Sequence, residues 1–241
     1  MSTAILHFHG ELASLAGCER FDYPVTRRAS IKDVTEALGV PHTEVYALAV
    51  DGQPIDFSHI LEPGQFAEVR PGDPPVVVTA PQALRATLPR AAFLADANVG
   101  RLATYLRLIG MDVVFDRDYR DAEVARLAAL QGRVVLTRDR GVLRRKSVAW
   151  GRLVRSNDPV EQARDVVRFF GLASQAAPFT RCVRCNVALQ AASKAEVLHL
   201  LEPRTKKYYQ EFHRCPACGR VYWAGSHHDR MAEMFDRLVG P

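Results

Sequence analysis

The sequence predicts an α/β protein in three parts: a small acidic domain, a parallel-sheet domain and a cysteine-bound terminal segment. Three observations carry this expectation. Charge divides sharply along the 241 residues: residues 1–80 hold 5 Lys and Arg against 11 Asp and Glu, whereas the remainder holds 27 against 16. Between residues 90 and 171, short apolar runs alternate with helical patterns, the mark of parallel strands joined by right-handed crossovers. Finally, four of the five cysteines fall in two close pairs near the end of the chain.

The first part is expected to span residues 1–78. "AILHFHG" alternates, with Ile5 and His7 opposite Leu6 and Phe8, and "CERFDYPV" reads as a second strand. "SIKDVTEALGV" is a helix with Ser30 as its N-cap, Ile31, Val34 and Leu38 on one face, and Gly39 as its stop. "YALAVDGQPI" gives a strand and an Asp-Gly turn, and "FAEVRPG" a closing strand. A sheet wrapped around one helix in this order resembles the β-grasp fold of ubiquitin and the sulfur-carrier proteins. Those carriers need a free C-terminal Gly-Gly. Here the equivalent point reads "VRPGDPP" and continues, which argues for a structural or docking module. Five prolines between Pro71 and Pro89 mark residues 79–89 as a stiff linker, although "VVVT" within the stretch could add a short strand.

The second part covers residues 90–175. "AAFLAD", "DVVFD", "RVVLTRD" and "GRLVRS" read as strands. "VGRLATYLRLIG" and "DAEVARLAALQG" read as helices ending at Gly110 and Gly132, "GVLRRKSVA" as a short basic helix, and "DPVEQARDVVRFFG" as a helix with Asp158 as cap and Pro159 at its first position. Ligands of such sheets sit outside the carboxyl ends of the strands. Asp96 ends the first strand, Asp139 ends the third, and Asp121 opens the helix between the second and third strands. Asp116, Asp118 and Glu123 lie nearby as alternatives. Carboxylates gathered in one cleft repel unless a cation sits between them, and hard ions such as Mg²⁺ or Mn²⁺ take oxygen ligands of this kind. Such metals can activate a water and clamp a phosphate. The plain alternative is that each aspartate only caps a helix. Arg101, Arg138, Arg140, Arg144, Arg145 and Lys146 would supply phosphate contacts near that edge.

The third part is residues 176–241. "RCVRCN" and "HRCPACGR" give two C-x2-C pairs separated by 29 residues. In a chain expected to be cytosolic this spacing points to metal before disulfide. Cys182, Cys185, Cys215 and Cys218 would bind a structural zinc ion in a zinc ribbon, with no ligand position left open. Cys18 stands apart as a small core residue. Lys206, Lys207, Arg220 and His227 are further candidate RNA contacts. Basic residues interleaved with Tyr208, Tyr209, Tyr222 and Trp223 suit single-stranded nucleic acid, though aromatics also build the core of a small ribbon. No run approaches a membrane span, and the N-terminus lacks a basic region followed by a long apolar core. A soluble, cytoplasmic protein without membrane partners is expected.

"FLADANVGRLATYLRLIGMDVVF", "DAEVARLAALQGRVVLTRDR", "FTRCVRCNVAL" and "CPACGRVYWAGSHHDRM" together resemble the Mut-seven C-terminal RNase domain family, PIN-like nucleases carrying a zinc ribbon. The acidic first segment resembles the ubiquitin-like domain that often precedes it. The resemblance implies an α/β PIN-like sheet, an acidic Mg²⁺ or Mn²⁺ site at Asp96, Asp121 and Asp139, and metal-dependent cleavage of single-stranded RNA. Two alternatives remain beside it: a non-catalytic RNA- or ribosome-binding regulator, and an adaptor whose acidic N-terminal domain docks a protein partner or covers the basic face.

Overall fold

The structure is a computed structural model that describes residues 2–223 and 226–240, with side chains after residue 223 described from 233 onward. The N-terminal part is a five-stranded sheet: β1 (Thr3–Phe8), β2 (Arg20–Pro24), β3 (Ala47–Val50), β4 (Gln53–Pro54) and β5 (Phe66–Arg70), ordered β2-β1-β5-β3-β4. β1 and β5 run parallel at the centre, and their neighbours pair antiparallel. Alternation along β1 does what its sequence demands. Ala4, Leu6 and Phe8 are buried, and Ile5 and His7 face the other side. Helix α1 (Glu11–Ala16) fills the β1–β2 connection, between two strands where the sequence predicts no helix. Helix α2 (Ile31–Ala37) begins as expected, with Ser30 Oγ accepting the Asp33 amide at 3.1 Å.

The second sheet holds β6 (Ala92–Ala95), β7 (Asp112–Phe115), β8 (Val134–Thr137) and β9 (Gly151–Leu153), all parallel, in the order β7-β6-β8-β9. Its helices are α3 (Gly100–Leu108), α4 (Asp121–Gln131), the four-residue α5 (Arg140–Leu143) and α6 (Pro159–Phe169). Both faces of the sheet are covered, so its central strands β6 and β8 are buried along their whole length. Phe93, Ala95, Val134 and Leu136 pack with residues of α3 and α6. Leu94 and Val135 face the other way, into one core with Val124 and Ala128 of α4, Val142 and Leu143 of α5, and Leu6, Leu12, Val34 and Leu48 of the N-terminal domain. The two domains therefore share a hydrophobic core.

The proline-rich stretch is a packed strap. Val76 and Val78 are buried, and the Val76 amide donates to the Phe169 carbonyl at 2.7 Å. No strand forms between residues 71 and 91. Arg85 reaches from the strap to the carbonyls of His42, Thr43 and Val45 while its guanidinium lies 4.2 Å from the Tyr46 ring centre.

The terminal segment forms a small antiparallel sheet, β10 (Gln190–Ala192), β11 (Phe212–Arg214) and β12 (Val221–Trp223), in that order. Two short helices, α7 (Lys194–Val197) and α8 (Pro203–Tyr208), fill the long β10–β11 connection. Helix α9 (Ser226–Val239) returns to the second domain, and Met234, Phe235, Leu238 and Val239 join its core.

Candidate functional site

The strand order β7-β6-β8-β9 reverses direction between β6 and β8. The connection leaving β6 runs toward β7, and the one leaving β8 runs toward β9. A switch point of this kind is where ligands of parallel sheets bind, in the crevice outside the carboxyl ends of the strands. Asp96 and Asp139 stand on its two sides. Asp96 is only 5% exposed. Its carboxylate accepts the Ala97 amide at 2.7 Å, the Asn98 side-chain amide at 2.7 Å and the Thr137 hydroxyl at 2.6 Å. Asp139 is exposed, and its Oδ1 accepts the Gly141 amide at 2.6 Å as the N-cap of α5. Asn98 also accepts the Arg138 amide at 3.2 Å, so the ends of β6 and β8 are cross-linked by side chains.

Asp121 comes to the same edge differently. The N-cap of α4 is Arg120, and Asp121 occupies the first helical position with its carboxylate 3.7 Å from the Arg145 guanidinium. Among the described residues, the three aspartates do not form a group close enough to share one ion, whereas Asp96 and Asp139 are held by neutral donors and enter no ion pair.

The basic candidates divide by what they touch. Arg140 donates to the carbonyls of Leu15 and Gly39 at 3.2 Å each, both in the N-terminal domain. Arg138 donates to Asn157. Arg101 sits beside the Tyr105 hydroxyl at 3.4 Å. Arg144 keeps a buried Nε with no hydrogen-bond partner among the described atoms. Lys146, Lys206, Lys207 and Arg220 are exposed. His227 lies outside the described residues. Of the aromatics, Tyr209 and Trp223 pack with Val197, Leu201 and Phe212, and Tyr208 is exposed with Lys207 Nζ 5.3 Å from its ring centre.

Cys182, Cys185, Cys215 and Cys218 are free thiols whose Sγ atoms all lie within 4.8 Å of one another. Two matched turns bring them together. In each, the residue after the second cysteine, Asn186 (φ 63°) or Gly219 (φ 72°), is left-handed and returns its amide to the first cysteine's carbonyl at 2.9 Å. In each, the first cysteine's amide donates to the next residue's carbonyl, Val187 or Arg220, also at 2.9 Å. Asn and Gly tolerate this conformation best. A tetrahedron with metal–sulfur bonds of about 2.3 Å has sulfur–sulfur edges of about 3.8 Å. Cys182 and Cys218 stand 3.8 Å apart. Burial pushes the Cys182 thiol up, but the Tyr222 hydroxyl at 3.1 Å and the amides of Cys185 and Arg184 outweigh it and bring it down to about 6. Its neighbour Cys185, beside Cys218, is pushed up to about 12. Several thiolates this close require a cation among them, so the group could hold a metal such as zinc.

The first of these turns docks at the amino edge of the second sheet, opposite the aspartates. Arg107 of α3 donates to the carbonyls of Val183 and Arg184 at 3.1 and 2.9 Å and to Val113 at 2.9 Å. Asn186 donates to Asp112 at 2.7 Å and accepts the Val113 amide at 2.9 Å. Asp112 is further held by both Arg133 nitrogens and by Arg90.

A family model described as "Mut7-C RNAse domain" matches residues 91–235, and one described as "Mut7-C ubiquitin" matches residues 1–76. The chain belongs to the Mut7-C RNAse domain family. Its N-terminal domain is the ubiquitin-like domain of that family, and the family suggests a ribonuclease-like role. None of the curated proteins matches it. Among solved structures, "Putative molybdopterin converting factor, subunit 1 from Pyrococcus furiosus" is 17% identical over 30% of this chain and 100% of its own, with a TM-score of 0.26. No helix among the described residues of this Mut7-C chain is long and apolar enough to cross a membrane.

Sequence reasoning missed Asn98, Thr137, Arg107 and Asp112. The first two had a signal. Asn98 follows Asp96 by two residues and Thr137 precedes Asp139 by two, so both occupy the strand ends that form the crevice. Arg107 and Asp112 gave none, because the cysteine turn that they hold lies more than seventy residues away.

Proposed function

We propose that this chain is a metal-dependent ribonuclease with a PIN-like acidic site at the carboxyl edge of its parallel sheet. The observation that carries the proposal is the placement of Asp96 and Asp139 on the two sides of the β6–β8 switch point, hydrogen-bonded only to neutral donors. Each carboxylate keeps lone pairs free of those bonds, and uncompensated negative charge at one edge fits a hard cation. Asp96 and Asp139 would hold Mg²⁺ or Mn²⁺, with Asp121 joining on release from Arg145. When bound, such an ion lowers the pKa of a water and neutralises charge on a phosphoryl oxygen.

The protein's own groups do the positioning. Thr137 and Asn98 fix the Asp96 carboxylate. Lys146 offers an exposed ammonium next to the edge where a phosphate backbone would lie. Lys206, Lys207, Arg220 and Tyr208 would carry a single strand farther along the terminal segment. Cys182, Cys185, Cys215 and Cys218 would bind zinc in a ribbon whose role is structural. With all four ligands from the chain and docking at the amino edge, that ion is remote from the aspartates.

Purified protein incubated with labelled single-stranded RNA and Mn²⁺ tests this reading beside Asp139→Asn. Cleavage by wild type alone, with RNA binding equal in both, is the expected result. Equal binding without cleavage by either favours a non-catalytic RNA-binding protein, a second reading favoured by the Asp121–Arg145 pair and by the capping roles of Asp96 and Asp139.

A further inference from the structure

We infer that the ubiquitin-like domain is a positioning element of the carboxyl edge, acting through a clamp of Leu15 and Gly39 on Arg140. The inference rests on the ribonuclease reading for its catalytic consequence and on geometry for the clamp itself.

Asp139 is the N-cap of α5, and α5 has four residues. A helix this short has no stability of its own. Beside its packing on α4, β8 and β9, it is held by the N-terminal domain. Arg140, next to Asp139, places Nη1 3.2 Å from both the Leu15 carbonyl and the Gly39 carbonyl. Leu15 lies in the last turn of α1, and Gly39 follows the C-cap of α2. Both helices thus present their unsatisfied, partly negative C-terminal ends to one guanidinium. Gly39 is built for this approach. Its φ is 98°, and a Cβ there would stand 2.9 Å from the Leu15 carbonyl oxygen and 3.0 Å from Arg140 Nη1.

Two further contacts hold the segment that follows. Val142 and Leu143 insert into the core shared with the N-terminal domain. His42 Nε2 lies 2.9 Å from the Val148 carbonyl, with Glu36 2.7 Å from its Nδ1. Beyond it, Arg152 of β9 binds Glu11 and Glu44. Glu11, Glu36 and Glu44 of the N-terminal domain are therefore engaged in holding the α5–β9 segment. Arg140 is a positioning residue: its guanidinium turns away from the crevice into the neighbouring domain, and its effect reaches the site through Asp139.

The test uses the full chain with Gly39→Ala, Arg140→Ala and Arg140→Lys. Hydrogen exchange at the amides of Gly141, Arg144 and Arg145 reads the clamp without reference to activity. Single-turnover RNA cleavage with Mn²⁺ and the RNA Kd read its consequence. Gly39→Ala and Arg140→Ala should each speed exchange about tenfold or more and slow cleavage by about 10- to 100-fold, the scale of an ångström-sized misplacement. RNA Kd should stay within about twofold, and Arg140→Lys, which keeps a donor, should recover part of both losses. Unchanged exchange in Gly39→Ala and Arg140→Ala would overturn the clamp. Weakened RNA binding with a smaller salt dependence and an unchanged cleavage rate would overturn it too, making Arg140 a phosphate contact. If wild type does not cleave, the ribonuclease reading fails, and exchange still decides the clamp.

Discussion

Thr137 ties Asp96 to Asp139: its hydroxyl donates to Asp96 Oδ2 at 2.6 Å and accepts the Asp139 amide at 2.9 Å. One fully buried side chain at the end of β8 thereby sets both aspartates of the crevice.

Thr137→Val should therefore damage both. Valine has nearly the same shape but leaves Asp96 short of a donor and the Asp139 amide unpaired. A loss of about 1–3 kcal/mol is expected from the unsatisfied groups, with cleavage falling well beyond what the unfolded fraction explains. Thr137→Ser keeps the hydroxyl and should retain most activity. Urea unfolding beside cleavage rates separates the two effects.

The joint between the domains should be sensitive at Arg152. Its guanidinium is 5% exposed and bridges Glu11, Glu44 and Asp165, while Glu44 also accepts the Leu153 amide at 2.6 Å. Arg152→Met leaves the buried Glu44 carboxylate without its main partner. A destabilisation of about 3–5 kcal/mol is expected. A shift in the urea midpoint affecting both domains together would show that they unfold as one unit.

Docking of the first cysteine turn should weaken in acid. Burial pushes the Asp112 carboxyl up, but the bonds from Arg133 and Asn186 outweigh it and hold it below its ordinary value. A carboxylate with a depressed folded pKa contributes stability that is present above its unfolded value, about 3.9. That contribution is lost as pH falls through the lower folded value. Asp112→Asn should remove this part of the acid dependence below about pH 4, measured as the slope of unfolding free energy against pH.

Metal removal should act on the terminal segment first. One zinc per chain is expected by elemental analysis, and chelation should raise hydrogen exchange across residues 180–223 while β6 and β8 stay protected. Cys215→Ser should do the same without chelator. Loss of RNA cleavage by zinc chelation alone, with exchange unchanged, would contradict a structural role.

Much of this architecture was legible in local sequence. Period-two and 3.6-residue patterns located β1, α2, α3 and α6, Ser30 and Asp158 announced their helix starts, and the C-x2-C spacing located the cysteine group. The rule that ligands sit at carboxyl strand ends pointed to the ends of β6 and β8, where Asp96 and Asp139 lie. What stayed hidden was long-range. Helix α1 is six residues of mixed pattern whose burial depends on the neighbouring sheet. The basic stretch after Asp139 reads as a set of phosphate contacts, yet Arg140 binds the N-terminal domain and Arg145 binds Asp121. The strap reads as a linker because prolines oppose regular structure, but Val76 and Val78 bury themselves and Arg85 binds the carbonyls of the N-terminal domain without needing any. Charge counting shows how many acids and bases a segment carries, while only packing shows which of them are paired.

The central claim is that Asp96 and Asp139 form a working hydrolytic edge. Single-turnover cleavage of labelled single-stranded RNA with Mn²⁺ by wild type and Asp96→Asn, with RNA Kd measured on the same samples, tests it most directly. The account predicts cleavage by wild type, a loss of at least about 100-fold in the variant, and equal Kd values. Cleavage by Asp96→Asn at the wild-type rate would contradict it.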